Sequence, residues 1–200
     1  MRKANYDRFP STKISGTVIQ GWENICSLLE EHLKAYPALA VDFYTGVYEE
    51  EVINELHRLS PALFIDTRDL IKAMTARFMT DDVLFGYVTN ITLNDYFDQD
   101  KLKKAREEVI ATKGKVVVVG SGAAMVVPAE AVLVYADMTR WEIQQRFRRH
   151  EVKALGIDNR KDAVSLQYKR GYFNDWRVCD KYKESLFDKV DFWLDTHIAT

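Results

Sequence analysis

The sequence contains few of the residues that build covalent or metal-bound sites. Its two cysteines, Cys26 and Cys179, lie far apart, so neither a disulfide framework nor a thiolate metal site is indicated. The four histidines form no metal-binding pattern such as HExxH or Gln-x-His, and no Ser-His-Asp or Cys-His arrangement is legible. We therefore expect no metal site, and a reducing, cytoplasmic compartment.

Long apolar runs and an excess of positive charge are also missing. The longest apolar run is far shorter than the roughly 20 residues of a membrane span, and the amino terminus lacks the apolar core of a signal peptide. A net charge of −2 argues against a general nucleic-acid binder. We expect neither a membrane nor a nucleic-acid partner. Residues 139–189 nevertheless carry 13 Lys and Arg against 8 Asp and Glu, which indicates an anionic ligand or a solvated helix surface.

Apolar residues follow each other in patterns that predict alternating strands and helices. Strands are expected at 38–44, 61–66, 83–88, 115–120, 131–137 and 190–195. Helices are expected at 22–35, 48–59, 68–79, from Asn94 or Asp95 to Gly114, at 140–150 and at 160–186. Valine-rich strands separated by helices predict an α/β fold with a three-layer, mostly parallel doubly wound sheet. Residues 1–21 are expected to form an irregular lead, and residues 22–200 a single domain.

Ligands of such sheets bind at the carboxyl ends of the strands, which directs attention to the stretch "VDFYTGVYEEEV". A strand, a turn with Gly46 and a helix start follow one another there, as in a P-loop. The P-loop pattern needs a second glycine, a lysine and a Ser or Thr. Three glutamates, Glu49–Glu51, stand at the helix start instead, where the helix dipole stabilises them and they would repel a triphosphate. The stretch favours a structural strand–turn–helix over an ATP site.

Several residues at the predicted strand ends are candidates for binding a phosphate. Arginine suits bidentate phosphate binding, and glycine turns allow close backbone approach. A solvated helix surface and a plain tight turn remain open as alternatives. The candidates are Thr45 and Gly46 in the first turn, Ser121 and Gly122 in "VGSGA", and Arg140, Arg146 and Arg149 in "RWEIQQRFRR".

The stretch "YKRGYFNDWRVCD" interleaves aromatic and basic residues. Tyr172, Phe173, Trp176 and Arg177 could stack a base or a sugar, or form a docking surface for a protein. Packing at the edge of the core is the competing interpretation.

Three longer stretches carry a resemblance to a known family. "KLKKAREEVIATKGKVVVVGSGAAMV", "VLVYADMTRWEIQQRFRR" and "YKRGYFNDWRVCDKYKESLFDKVDFWLDT" resemble the N-terminal, kinase-like domain of bacterial class I mannose-6-phosphate isomerase-type proteins. "YDRFPSTKISG" and "VDFYTGVYEEEV" match the opening and first turn of that domain, so the resemblance covers nearly the whole chain. The domain is similar, more remotely, to uridine-kinase-like P-loop phosphotransferases.

The resemblance implies a P-loop kinase-like fold with degenerate Walker motifs. "KVVVV" would be the Walker B strand and "RWEIQQRFRR" the arginine-bearing lid. Asp66 would lie near the position of the residue that acts as the catalytic base in the kinases. Asp66 is therefore the candidate catalytic residue. The Walker A lysine and hydroxyl are missing, and Val119 stands where the Walker B acid is usual. The Gln-x-His zinc motif of the isomerases is absent as well.

These observations predict a degenerate kinase-like domain that serves mannose-6-phosphate isomerase-type sugar metabolism by binding, regulation or structure. The alternative is a divergent phosphotransferase that acts on a phosphate-bearing small molecule, so whether the chain is an enzyme stays open. A nucleotide or a sugar phosphate is the candidate ligand, and no cofactor is indicated beyond it. The sequence stops about where the isomerase part would begin. If it is a fragment, a C-terminal cupin isomerase domain is the expected partner; the oligomeric state stays open.

Overall fold

The computed structural model describes residues 11–13, 15–73, 82 and 84–197. In this part of the chain, helices surround one five-stranded sheet. The strands are β1 (Ala38–Phe43), β2 (Leu63–Asp66), β3 (Val116–Gly120), β4 (Val132–Asp137) and β5 (Phe192–Asp195). The α-helices are α1 (Trp22–Ala35), α2 (Glu49–Leu56), α3 (Gln99–Ala111), α4 (Arg140–Arg148), α5 (Val164–Arg170) and α6 (Trp176–Glu184).

All pairings in the sheet are parallel, and the strand order is β2-β3-β1-β4-β5. From β1 the chain runs through α2 to β2, which lies at the edge of the sheet next to β3. From β3 it later runs to β4, which lies on the opposite side of β1. The connections therefore diverge at the carboxyl ends of β1 and β3, where α/β sheets leave a crevice for ligands. The predicted parallel, doubly wound α/β class is confirmed.

The three central strands are buried almost completely. Every residue of β1 and of β3 is buried, and β4 is buried up to its last residue. Because successive side chains of a strand point to opposite faces, burial along the whole strand means that both faces of the sheet are covered. The valine run of β3 thus marks the middle layer of a three-layer structure.

Two predicted elements are wrong within the described residues. The helix expected at 68–79 is a short 3-10 turn, Thr67–Asp69, which the Asp66 carboxylate caps at its start by accepting the Arg68 N–H. It does not continue, because the Lys72 N–H donates to the Tyr96 carbonyl (2.8 Å) instead of to the preceding turn. Ile71 then forms an antiparallel bridge with Phe97, so the chain is no longer helical; 74–79 lie outside the described residues. No strand forms at 84–88, where Gly86 makes at most an isolated bridge and Leu84 is 71% exposed; residue 83 is not described.

Two predicted helices start later than expected. The 94–114 helix begins at Gln99, because the Asp98 carboxylate accepts the N–H groups of Asp100 and Lys101, while a separate 3-10 turn occupies Leu93–Tyr96. The 160–186 helix begins at Val164 and is interrupted by a π-helical turn, Gly171–Asp175, between α5 and α6.

The Asp42 carboxylate joins β1 to the turn after β3. It is fully buried and accepts hydrogen bonds from the N–H groups of Gly122 (2.9 Å) and Ala124 (3.0 Å) and from the Tyr182 hydroxyl (2.8 Å). Gly122 has a φ of 82°, and a Cβ there would lie 2.6 Å from the Phe97 ring, so only glycine fits. Burial raises the pKa of Asp42 to about 6 despite these donors.

This pKa predicts a pH dependence of stability that belongs to Asp42. A carboxyl whose pKa is raised by folding stabilises the native state fully below its unfolded pKa, near 4, and loses that contribution as the pH rises through 6. We compare wild type with Asp42→Asn by urea unfolding. When the pH is lowered from 7.5 to 4.5, the free energy of unfolding of the wild type should rise by about 2 kcal/mol relative to that of the variant. Other carboxyls cancel in this difference, and a difference independent of pH would contradict the assignment.

Candidate functional site

The turn after β1, residues 44–48, is closed from above by α4. The Tyr44 N–H donates to the Ala136 carbonyl (2.9 Å) and the Val47 N–H to the Tyr44 carbonyl (3.3 Å). Gly46 has a φ of 99°, and a Cβ at Gly46 would lie 3.2 Å from a methyl group of Ile143. The glycine therefore serves close packing of α4 on the turn, and Thr45 and Gly46 are both buried.

Arg146 is the side chain that fastens α4 to this turn. It is fully buried, and its Nη1 donates to the Gly46 carbonyl (2.8 Å), its Nε to Glu142 (3.0 Å) and its Nη2 to the Thr196 carbonyl. The guanidinium lies 3.8 Å from the centre of the Tyr48 ring. An anion could reach Arg146 only by displacing these partners.

The other two candidate arginines also have protein partners. Arg140 donates through Nη2 to both carboxylate oxygens of Asp180 (3.0 and 2.9 Å), and its guanidinium lies 4.4 Å from the Trp176 ring. Arg149 is partly exposed and donates to Glu151 (2.8 Å) and Glu142 (3.3 Å). The three arginines thus occupy different places, and no shared anion site of α4 is formed by them in the described residues. Their predicted role in binding phosphate stays a prediction.

Two of the three glutamates at the start of α2, Glu49 and Glu50, face Arg68, whereas Glu51 accepts a hydrogen bond from the Trp22 indole (3.1 Å). Its guanidinium makes ion pairs with Asp66 (2.5 Å), Glu50 and, at a longer distance, Glu49 (3.4 Å). Burial raises the pKa of Glu49, against the opposing charges of Arg68 and Lys153, whereas the hydrogen bond from Arg68 lowers the pKa of Glu50. Three carboxylates around one guanidinium leave this edge of the sheet acidic.

The turn after β3 brings its two candidate residues to the same edge. The Ser121 hydroxyl donates to the Phe43 carbonyl (2.9 Å), and the Ser121 carbonyl accepts from the Thr67 hydroxyl (3.0 Å). The Gly122 N–H is already bound by Asp42. Ser121 and Gly122 therefore join the ends of β1, β2 and β3.

A polar pocket of about 210 Å³ lies outside these strand ends. It is bounded on one side by the strand ends and the start of α2, and on the other by the turn at 154–157 that follows α4. Positively charged, negatively charged and hydroxyl-bearing side chains all face this pocket. Its polar lining comes from Thr45, Glu49, Thr67, Arg68, Lys153 and Asp158, with Ser121 beside them.

Lys153 is the functional candidate that sequence reasoning missed. It lines the pocket and is partly buried, and among the described residues no hydrogen-bond or ion-pair partner lies within reach of its ammonium group. The Thr45 hydroxyl likewise has no hydrogen bond in the described part of the chain. Lys153 stands in an irregular stretch between α4 and α5, where neither periodicity nor a motif distinguishes it from other surface lysines.

The candidate docking residues divide between core and surface. Trp176 is 5% exposed and packs against Phe147, with ring centroids 6.1 Å apart, so it belongs to the core. Tyr172 is half-exposed, and the Arg177 guanidinium lies 5.1 Å from its ring. Docking at this place would use Tyr172, Phe173 and Arg177.

The described residues contain no group of three His, Cys, Asp or Glu side chains placed to hold a metal ion. No helix in the described part of the chain is long and apolar enough to cross a membrane.

Together, the sheet and its edge define a parallel α/β domain in which α4 closes the first strand–turn–helix and a polar pocket lies beside it. The chain belongs to the family described as a domain of unknown function, DUF8485, whose model matches residues 21–200. No curated protein matches the chain.

Two solved structures of shikimate kinases resemble the chain. The enzyme from Bacteroides thetaiotaomicron is 12% identical, with 80% of this chain and 86% of that chain covered and a TM-score of 0.42. The enzyme from Acinetobacter baumannii, in complex with shikimate, is 15% identical, with 85% and 89% covered and a TM-score of 0.39. At these values the likeness extends no further than the general course of the chain.

The burial of Arg146 predicts that its substitution destabilises the fold. Arg146→Met leaves the carbonyls of Gly46 and Thr196 without their donor and removes one of the two arginine donors of the Glu142 carboxylate, which should lower the free energy of unfolding by about 3 kcal/mol. The matched control is Arg149→Met at the end of the same helix, where the ion pair is partly exposed and screened by solvent and its loss should cost much less. Urea unfolding of both variants measures the difference, and equal losses would contradict this role.

Proposed function

We propose that this domain binds a small hydroxylated ligand of the sugar-phosphate class in the pocket at the strand ends, and that it does not transfer phosphoryl groups. The observation that carries the proposal is the closure of the turn after β1 by Ile143 and Arg146. A P-loop must leave its backbone N–H groups open to phosphates, and here α4 occupies that space.

The charge at the edge supports the same conclusion. Glu49, Glu50 and Asp66 surround Arg68, so three negative charges face only one close positive charge. Phosphoryl transfer requires cationic groups and Mg²⁺ around the transferred group. A triphosphate would meet uncompensated carboxylates, whereas a monophosphate carries only about −1.5 to −2 charges and can pair with Lys153, whose ammonium group no described carboxylate engages.

The size of the pocket supports a ligand smaller than a nucleotide. Pockets for drug-sized ligands measure about 300–1,000 Å³, and this one measures about 210 Å³. Its lining of hydroxyls, two cations and two carboxylates offers both donors and acceptors. A polyhydroxylated molecule with one anionic group uses both kinds.

A divergent phosphotransferase is the second candidate, and the position of Asp66 at the carboxyl end of β2 favours it. Both carboxylate oxygens of Asp66 accept from Arg68, at 2.9 Å from its N–H and 2.7 Å from its Nε. To act as a base, Asp66 would have to release Arg68 when substrate binds. Turnover of ATP with a sugar acceptor that disappears in Asp66→Asn would favour this candidate.

The biological setting follows from the sequence resemblance alone. A role in mannose-6-phosphate isomerase-type metabolism, a cupin isomerase domain as partner and a cytoplasmic location all stay predictions. A protein-docking role of Tyr172, Phe173 and Arg177 is compatible with ligand binding, because these residues do not line the pocket.

The proposal predicts a thermal shift with sugar phosphates and none with ATP·Mg²⁺. A ligand that binds only the folded state at a hundredfold excess over its Kd stabilises it by about 2.7 kcal/mol, which for a chain of this size raises Tm by roughly 5–10 °C. Mannose 6-phosphate, fructose 6-phosphate, inorganic phosphate, UTP and ATP·Mg²⁺ are titrated in parallel, and ATP hydrolysis is followed separately.

The location of the site is tested with Ile157→Trp, a variant that adds bulk at a partly exposed position in the pocket wall. Its Tm without ligand reports whether the fold survives, and its shift with sugar phosphate should be lost. If no sugar phosphate shifts the wild type, or if ATP·Mg²⁺ shifts it and is turned over, the proposal is wrong.

A further inference from the structure

The Lys153 ammonium group is a partly buried charge in the pocket for which the described residues provide no close counter-charge. Its positive charge acts on Glu49, Glu50 and Asp158, but none of their carboxylates lies within ion-pair distance. Asp158 is instead paired with Arg160 at 2.6 Å, and Glu50 and Asp66 with Arg68. Glu50, Asp66 and Asp158 are thus engaged by other cations, and Lys153 remains available to an anion.

The turn at 154–157, which directly follows Lys153, is fixed by hydrogen bonds to two buried residues that do not line the pocket. The Leu155 carbonyl accepts from the Arg170 guanidinium (3.1 Å), and the Leu155 N–H donates to the Asp175 carboxylate (3.2 Å). Arg170 and Asp175 are themselves buried and paired at 3.1 Å. A backbone gripped at both of its polar groups presents its neighbours in a fixed position, which lowers the entropic cost of binding a ligand.

The π-helical turn is what lets this buried pair form. Residues five apart on an α-helix differ by about 140° around the axis and do not meet. Between Arg170 and Asp175 the helix widens, with the Trp176 N–H donating to the Gly171 carbonyl five residues back. The two side chains then share one face, and π-turns of this kind are frequent at functional sites.

Two further groups of the pocket complement Lys153. The Thr45 hydroxyl is without a hydrogen bond in the described part of the chain and supplies a donor beside the strand ends. Glu49 has only a long contact of 3.4 Å with Arg68, so its carboxylate retains capacity to accept. We infer that Lys153 and Thr45 bind the anionic group of the ligand, a phosphate ester or a carboxylate, while Glu49 accepts hydrogen bonds from its hydroxyls.

This inference rests on the proposed function and is tested by paired ligands. Binding of mannose 6-phosphate and of mannose is measured by calorimetry for the wild type, Lys153→Met and Lys153→Arg. A charge-assisted bond predicts that the wild type prefers the ester by about 10- to 100-fold. Lys153→Met should lose this preference while its affinity for mannose stays the same, and Lys153→Arg should retain part of it.

The matched control is Lys161→Met, which removes the same charge from an exposed position outside the pocket. It should keep the full preference, which separates a local contact from a change in net charge. A preference that persists in Lys153→Met overturns the assignment of Lys153 and leaves the binding function intact. A wild type that binds neither compound overturns the binding function and this inference together.

Discussion

The guanidinium of Arg146 holds together three parts of the molecule that are distant in sequence: the turn after β1, helix α4 and the residue that follows β5. A buried arginine is tolerated only when its donors are used, and here carbonyls, a carboxylate and an aromatic face surround it. Because this contact places α4 over the turn, it also decides what the carboxyl edge of the sheet can bind. The ligand site that we propose therefore lies in the neighbouring pocket and not in the turn itself.

The contacts at the carboxyl edge also explain why glutamates stand at the start of α2. Carboxylates at a helix start are favoured by the helix dipole, and Arg68 gives them a direct partner. A phosphate at this place would have supplied the same negative charge. Because these carboxylates supply the negative charge themselves, the start of α2 needs no external anion to complete it.

The wall of the proposed pocket depends on a second buried ionic contact, the Arg170–Asp175 pair, which bonds to the 154–157 turn. Arg170 and Asp175 contribute no atom to the pocket lining, yet they hold the backbone of Leu155 within it. Two buried contacts therefore support the carboxyl edge: Arg146 at the turn after β1, and the Arg170–Asp175 pair at the 154–157 turn. Between them, the Lys153 ammonium faces a space that nearby acids do not fill.

The sequence by itself determined the sheet, because β1, β3 and β4 are apolar runs whose burial on both faces needs no knowledge of their neighbours. It also determined the start of α4, where the Thr139 side chain accepts the Glu142 N–H as a local cap. Tertiary structure alone decided which arginine is buried and which lysine faces the pocket. Arg146 and Arg149 look alike in sequence, and their difference arises from Gly46 and Thr196, 100 and 50 residues away from Arg146. Lys153 has no local signature at all, since its lack of a close counter-charge among the described residues is a property of its spatial surroundings.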